Sequence, residues 1–597
     1  MAKEEKAGES QETKEVLGDD PFAELDMGWL DREEGAVSVE VLGHDPFEDM
    51  DAGWMALGAD GAFPESAQPE AEVAFDEIEA RPVPVVDREE AVEQVVVEEL
   101  ALGPDVLEEF VVEELVAEPP VVAPPVAEAP LPAQPSPPAA VPVVPSPAGV
   151  ARAEILKPAA TFHFPADFKW GVATAAHQVE GGNVHNDWWT WEQEEGHVKN
   201  GHTSRLACNW WERAEEDFER AADVGLNALR LSVEWSRIEP QPGVFDDSAL
   251  ERYGQMLQGL RARNIEPMVT LHHFTNPRWL AEQGGWEAPE TIPLFARFVR
   301  RVVETLGQYC DLWCTINEPN VYGILGYLEG IFPPGQSDLK VAMRVIRHML
   351  MGHAAAYREI HTLQPQARVG LAHNMRVFDP VNPGSLLDRR VTRVTDKAYN
   401  QAILSALTRG RWVQPLGFGL AWKLRRTLDW IGLNYYTRDL VAFDRTQNQA
   451  LFNRRLHADG AELLDGNYGE FYPPGMLRCI KRLSRLDLPI YVTENGIPDA
   501  DDDQRPRYLL THVHQMWRAI QFCYPVKGYY HWTLVDNFEW AEGWTLRFGL
   551  ISLDPHTQER KPRQSAELYA EIVRSNAITS QMIDTYAPRL RAELLPG

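Results

Sequence analysis

The sequence predicts an α/β protein: a closed (β/α)8 TIM barrel preceded by a long acidic and proline-rich N-terminal tail. Three observations predict it. Short apolar, β-prone runs alternate with amphipathic helical patterns eight or nine times over about 420 residues, a pattern that calls for a parallel sheet and, at that number, for its closure into a barrel. Two of those runs, Thr315-Ile316-Asn317-Glu318-Pro319-Asn320 and Ile490-Tyr491-Val492-Thr493-Glu494-Asn495-Gly496, stop at a glutamate followed by turn chemistry. The charge is also unevenly divided. Residues 1–150 hold 37 acidic and 6 basic side chains, whereas the other 447 residues hold 53 and 50, so nearly all of the net −34 belongs to the tail.

Residues 1–118 read as a disordered acidic segment with repeated motifs. Leu17-Gly-Asp-Asp-Pro-Phe-Ala-Glu-Leu-Asp-Met-Gly-Trp-Leu30 recurs 25 residues later as Leu42-Gly-His-Asp-Pro-Phe-Glu-Asp-Met-Asp-Ala-Gly-Trp-Met55. Asp-Pro is a helix-start signal. Phe22, Leu25, Trp29 and Leu30, like Phe47, Met50, Trp54 and Met55, then fall at the anchor spacing of a short helix laid in a partner's groove. Gly28 and Gly53 weaken that helix, so it is expected to form on binding. A protein partner is therefore expected around Phe22–Trp29 and Phe47–Trp54. Val96-Val-Glu-Glu-Leu100 and Val111-Val-Glu-Glu-Leu115 form a weaker repeat with no assignable chemistry. Residues 119–155 read as a Pro/Ala/Val-rich linker. Its first 30 residues carry 12 prolines, which gives a polyproline-like spacer of roughly 90 Å.

The barrel domain is expected over 156–597. Trp170-Gly-Val-Ala-Thr174 is its first strand, and a helix follows at Trp210–Val224. Ala228–Val233, a helix at Asp246–Arg263 and Glu266–His272 come next, then Thr291–Tyr309 leading into Leu312–Asn317. A helix at Leu339–Leu363 precedes Arg368–His373, and the last runs are Trp430–Tyr436, Ile490–Glu494 and Gly528–Thr533. In such a barrel catalytic groups sit at the carboxyl ends of the strands, where Glu318 and Glu494 fall.

Composition excludes other classes. The body has no basic face of the kind nucleic acid binding needs. Five scattered cysteines without a CxxC pair fit neither a disulfide framework nor a zinc site. The first ten residues lack the apolar core of a signal peptide, and no apolar run reaches 18 residues, so neither export nor a membrane span is expected and the location is read as cytoplasmic.

The motifs carry a resemblance. Phe168-Lys-Trp-Gly-Val-Ala-Thr-Ala-Ala-His-Gln-Val-Glu-Gly181, Ala228-Leu-Arg-Leu-Ser-Val-Glu-Trp-Ser-Arg237, Leu271-His-His-Phe274, Thr315-Ile-Asn-Glu-Pro319, Leu433-Asn-Tyr-Tyr-Thr437, Val492-Thr-Glu-Asn-Gly496 and His531-Trp-Thr-Leu-Val-Asp-Asn-Phe-Glu-Trp540 follow one another in a familiar order. From Phe162 to about Val573 the body resembles a family 1 glycoside hydrolase, a retaining β-glucosidase. By that resemblance Glu494 matches the nucleophile and Glu318 the acid/base. Arg230 and Tyr436 match the groups that hold the ionised nucleophile, and Asn317 matches the residue that binds the sugar 2-hydroxyl. Gln178, His273, Glu539 and Trp540 match the hydroxyl-binding set, with Trp532 as the platform under the sugar face. No metal or cofactor is implied, because carboxylates supply both the nucleophile and the proton.

Three departures stand out. Phe274 replaces the commoner Trp, His272 replaces the commoner Tyr, and the segment between about Ile403 and Trp430 is shorter than usual, which suggests an open aglycone entrance. Glu539 and Leu546-Arg547-Phe548 depart from the phosphate clamp of the 6-phosphosugar branch, and the presence of Glu318 departs from the thioglucosidase branch. The expected activity is hydrolysis of terminal non-reducing β-D-glucosyl residues, with galactosyl or fucosyl side activity, on small β-glycosides or oligosaccharides. The alternative is a scaffold or binding protein recruited through its tail, with the barrel secondary.

Overall fold

The computed structural model describes residues 159–447 and 451–595. The expectations for residues 1–118, including both Phe–Trp motifs, and for the linker up to residue 155 lie outside the described residues.

Eight parallel strands close on themselves: Lys169–Ala173 (β1), Ala228–Ser232 (β2), Glu266–Thr270 (β3), Leu312–Asn317 (β4), Arg368–Pro380 (β5), Trp430–Phe443 (β6), Ile490–Asn495 (β7) and Val526–His531 (β8). Each pairs with its sequence neighbour, β8 pairs with β1, and no edge remains in the ring. Every residue of β2, β4 and β7 is buried. That explains why these strands read as continuous apolar runs and not as alternating ones, since helices cover one face and the barrel interior the other.

The covering helices are Trp210–Val224 (α1), Asp247–Ala262 (α2), Thr291–Leu306 (α3), Pro319–Tyr327 (α4), Leu339–Leu363 (α5), Leu386–Asp396 (α6), Pro474–Leu483 (α7), Arg505–Gln521 (α8) and Gln564–Ser575 (α9). Three have side-chain caps at their starts, Ser385 of α6 accepting from the N–H of Asp388 at 3.2 Å among them. Asp246 accepts from the N–H groups of Ser248 and Ala249 at 2.9 and 3.2 Å, and Asp338 accepts from those of Lys340 and Val341 at 2.7 and 3.1 Å. Caps of this kind are worth about 1 kcal/mol each. The helix expected from Asp246 thus begins one residue later, because Asp246 is its cap. The one expected to reach Tyr309 ends at Leu306, where Gly307 caps it.

Strands β5 and β6 run on to Pro380 and Phe443, beyond the expected His373 and Tyr436. Their extensions pair with each other, and Asn453–Leu456 adds to β6 in antiparallel register. Polar residues at the barrel mouth break the apolar run there, so periodicity alone ends the strands early.

The register slips where the two glutamates stand. On β4–β5 it is irregular between Cys314 and Asn317, and on β7–β6 it is irregular between Val492 and Glu494, which then faces Asn434. Such bulges re-aim side chains at strand ends.

Candidate active site

The carboxyl ends of the strands surround a cavity of about 260 Å³ whose lining includes His273, Asn317, Glu318, Tyr436, Glu494, Trp532, Glu539 and Trp540. Eight of the ten residues singled out from sequence therefore meet in one space. The other two, Arg230 and Gln178, are fully buried directly behind it.

Glu494 is the penultimate residue of β7 and is held at both oxygens. Arg230 Nη1 donates to Oε1 at 2.6 Å and the Tyr436 hydroxyl donates to Oε2 at 2.7 Å. Gly496, two residues on, passes so close to the carbonyl of Trp532 that a Cβ would collide with it, which accounts for glycine in the Glu-Asn-Gly turn.

Glu318 directly follows β4 and precedes Pro319, the first residue of α4. Its backbone is left-handed, φ 46° and ψ 61°, and its N–H donates to the carbonyl of Ala372 at 2.8 Å. Phe274 and Trp540 also line the cavity with positive φ, 71° and 48°. Backbone strain of about 1–3 kcal/mol per such residue is thus concentrated at the site.

Both amide groups that reach Glu318 donate to the same oxygen, Oε1: Asn434 Nδ2 at 2.7 Å and Asn374 Nδ2 at 2.8 Å. A proton on Glu318 therefore belongs on Oε2. Burial pushes this carboxyl up to about 8, the nearby Glu494 adds to the shift, and the two amides oppose it. Burial also pushes Glu494 upward, opposed by the Arg230 charge and by the bonds from Tyr436 and Arg230. Glu539 rises to about 8, again chiefly by desolvation with the charge of Glu494 next. Of the three carboxyls, Glu494 alone has a cation in contact among the described residues, so the negative charge belongs there and the proton on Glu318.

The orientation of the remaining polar groups follows from Arg230, which can only donate. Its Nη2 lies 2.6 Å from Asn317 Oδ1, which turns Asn317 Nδ2 toward His273 Nε2 at 3.1 Å. The His273 proton then sits on Nδ1, which has no protein hydrogen-bond partner. Burial, with Arg230 next, holds this imidazole well below its usual range and so neutral. Gln178 Nε2 donates to Glu539 Oε2 at 3.1 Å and to the Phe538 carbonyl at 2.8 Å, while its Oε1 is likewise without a protein partner. The His273 ring lies near-parallel to both Trp532 and Trp540, at 6.0 Å from each centroid and at 28° and 20°. The site thus presents an ionised carboxylate, a protonated one, aromatic faces and polar groups with unused hydrogen-bonding atoms in one pocket.

Four contributors were not singled out from sequence. Asn434 ties the two halves together: it donates to Glu318 and, at 3.2 Å, to Asn317 Oδ1, and it accepts from Thr493 Oγ1 at 2.6 Å. Asn374 is held in turn by the Tyr399 hydroxyl at 2.8 Å. Tyr468 completes the wall beside Tyr436, with ring centroids 5.8 Å apart. Asn434 lies within the Leu433–Thr437 motif and Asn374 one residue past the expected strand end, whereas Tyr399 and Tyr468 carried no linear signal. Of the noted departures, Phe274 lines the cavity, and His272 lies outside that lining, bonded to Asn276 at 3.2 Å and Trp286 at 3.0 Å.

The family model described as glycosyl hydrolase family 1 matches residues 160–578. Beta-glucosidase A of Thermotoga maritima is 33% identical, with 70% of this chain and 98% of that protein covered. A beta-galactosidase of Pyrococcus woesei is 32% identical, with 70% and 98% covered. Among solved structures, a beta-glycosidase from Pyrococcus horikoshii superposes with a TM-score of 0.67 at 34% identity, covering 72% of this chain and 98% of that one. Barrel, motif order and these likenesses agree, and the chain belongs to glycosyl hydrolase family 1.

Proposed function

We propose that the barrel hydrolyses terminal β-D-glucosyl residues by double displacement, with Glu494 as nucleophile and Glu318 as acid/base. The Glu494 carboxylate attacks the anomeric carbon while the Glu318 Oε2 proton passes to the departing glycosidic oxygen, leaving a glycosyl-enzyme and a free alcohol. Glu318, now ionised, takes a proton from water as that water attacks the same carbon, which releases the sugar with its configuration retained. Arg230 and Tyr436 keep Glu494 ionised and aimed, and Asn317 meets the 2-hydroxyl. Gln178, His273, Glu539 and Trp540 bind the remaining hydroxyls over the Trp532 face. The observation that carries this reading is the split between the two glutamates: one held by a guanidinium, the other raised to about 8 and held only by neutral amides.

The names of the relatives, a beta-glucosidase and a beta-galactosidase, support a glucosidase with galactosyl side activity. Leu546-Arg547-Phe548, which departs from the phosphate clamp, disfavours a 6-phosphate. Hydrolysis of a panel of aryl β-glycosides by the intact protein and by Glu494→Ala tests the reading. Turnover that ranks the sugars and vanishes in the variant is expected, and equal rates in both proteins would refute it.

The repeated tail motif favours a further reading in which residues 1–118 recruit the enzyme to a protein partner, residues 119–155 act as spacer and 156–597 form the catalytic domain. Removing residues 1–118 should leave turnover of small substrates unchanged and abolish capture of any partner. Five unpaired cysteines, Cys523 among them exposed, support a reducing, cytoplasmic setting.

A further inference from the structure

Away from the catalytic mouth, the segment between the helix Ala402–Arg409 and β6 carries a surface that the proposed chemistry does not use. It enters β6 at Trp430, ahead of Asn434 and Tyr436, and so lies toward the amino-terminal side of the barrel. Phe418, Leu420 and Trp422 are 66%, 73% and 65% exposed there. Trp412, Leu416 and Leu424 of the same segment are buried, so the segment is anchored without them. Arg411 and Trp412 pair with Leu420 and Gly419 in a short antiparallel hairpin, which sets Arg411 directly across from Leu420. A Cβ on Gly410 would come within 3.3 Å of Trp422 Cα and 3.2 Å of Arg425 Cβ, so both stand beside that hairpin. A Cβ on Gly419 would meet nothing within 4 Å, and the hairpin is clear of the body at that point.

The charge around these apolar tips is of one sign. Arg411, Arg425 and Arg426 are exposed, and none of them forms an ion pair among the described residues. No acidic residue occurs in the sequence between Asp396 and Asp429. That combination narrows the occupant. A second copy meeting the same face across a twofold axis would set these arginines against one another. A partner helix needs a groove to lie in, whereas these tips project. A lipid surface fits both features: aromatic and aliphatic tips enter the boundary between headgroups and acyl chains, and flanking arginines meet anionic headgroups. No described helix is long and apolar enough to cross a membrane, so the contact is with the surface. The net −34 of the chain is not what this face presents, because that excess lies in residues 1–150 and physiological salt screens a charge within about 8 Å.

We propose that this face docks the enzyme on an anionic lipid surface, with Phe418, Leu420 and Trp422 inserted and the catalytic mouth left open to water.

The test is co-sedimentation of the full chain with vesicles of phosphatidylcholine alone and of phosphatidylcholine and phosphatidylglycerol in equal parts. Binding to the mixed vesicles, weakened by added salt and absent from the neutral ones, is expected. Arg425→Gln with Arg426→Gln should weaken it about fivefold per arginine. Leu420→Ser with Trp422→Ser should weaken it about tenfold or more, by withdrawing apolar surface from the acyl boundary. None of these four side chains lines the catalytic cavity, so turnover of a soluble aryl β-glucoside should be unchanged in both variants, which also shows that they fold. The inference is overturned if the full chain fails to sediment with the mixed vesicles, if it sediments equally with the neutral ones, or if both variants bind like wild type. Dimers that dissociate in the same variants, with no vesicle binding, would overturn it in favour of a second copy. Patch-dependent retention on polyglutamate, with no vesicle binding, would overturn it in favour of an acidic protein.

Discussion

Arg230 places one guanidinium nitrogen 2.6 Å from Glu494 Oε1 and the other 2.6 Å from Asn317 Oδ1. The side chain is fully buried, so its charge acts in a medium that screens it little. A single cation thereby selects which buried carboxyl ionises and, through Asn317, which nitrogen of His273 carries the proton. Arg230→Met should leave Glu494 protonated over much of the neutral range. Its acid limb in the kcat/KM profile is expected to move up by more than one pH unit, with turnover falling by ~10²-fold or more, as for loss of a charge-assisted bond to a buried group. An unmoved limb would show that Arg230 acts only as packing.

Tyr436→Phe removes one hydroxyl from Glu494 and nothing from Glu318. A hydrogen bond to a charged group is worth ~1.5–3 kcal/mol, which predicts a drop in kcat/KM of roughly 10- to 150-fold. The acid limb should move in the same direction as in Arg230→Met and by less.

In the proposed mechanism the basic limb reports Glu318. With its carboxyl at about 8, activity on substrates with poor leaving groups should fall as pH rises past that value. Glu318→Gln should cost ~10²–10⁴-fold on such substrates and remove the limb. Stability should respond as well, and the sign follows from proton binding. Between the ordinary value of 4.5 and about 8, the folded chain keeps a proton on Glu318 that the unfolded chain has lost. The group therefore weakens the fold as pH rises through that window. Glu318→Gln, neutral throughout, should raise Tm relative to wild type more at pH 8 than at pH 5. Equal shifts at both pH values would mean that Glu318 is ionised in the fold.

How much of this was legible in the sequence depended on where chemistry coincides with a linear pattern. Glu318 and Glu494 stood out because each ends an apolar run with turn residues directly after it, and both features exist in one dimension. The barrel was legible for the same reason, as eight runs separated by helical periods. The extensions of β5 and β6 were not, because polar residues at the barrel mouth, Asn374 and Arg376 on β5 and Thr437, Arg438 and Asp439 on β6, interrupt the apolar signal. Tyr399 reaches Asn374, and through it Glu318, from the π-helical segment Lys397–Gln401 between α6 and the helix Ala402–Arg409, a closeness that spacing along the chain does not encode. The order of the hydrogen bonds, from Arg230 through Asn317 to His273, follows from three-dimensional contact alone.

Asn434 supplies the sharpest test of that network. Its amide serves Glu318, Asn317 and Thr493 at once, and it stands in register opposite Glu494. Asn434→Ala withdraws a donor that holds Glu318 down, so the basic limb should move to higher pH, opposite in sense to its loss in Glu318→Gln. Asn434 also helps hold Glu494 down, behind Arg230 and Tyr436, so the acid limb should move up as well, by less than in Arg230→Met. Removal of a buried amide that donates to two partners and accepts from a third should also cost ~1–3 kcal/mol of stability. A basic limb that does not move would mean that Asn434 does not act on Glu318, and an acid limb that moves as far as in Arg230→Met would mean that it supports the whole mouth of the barrel.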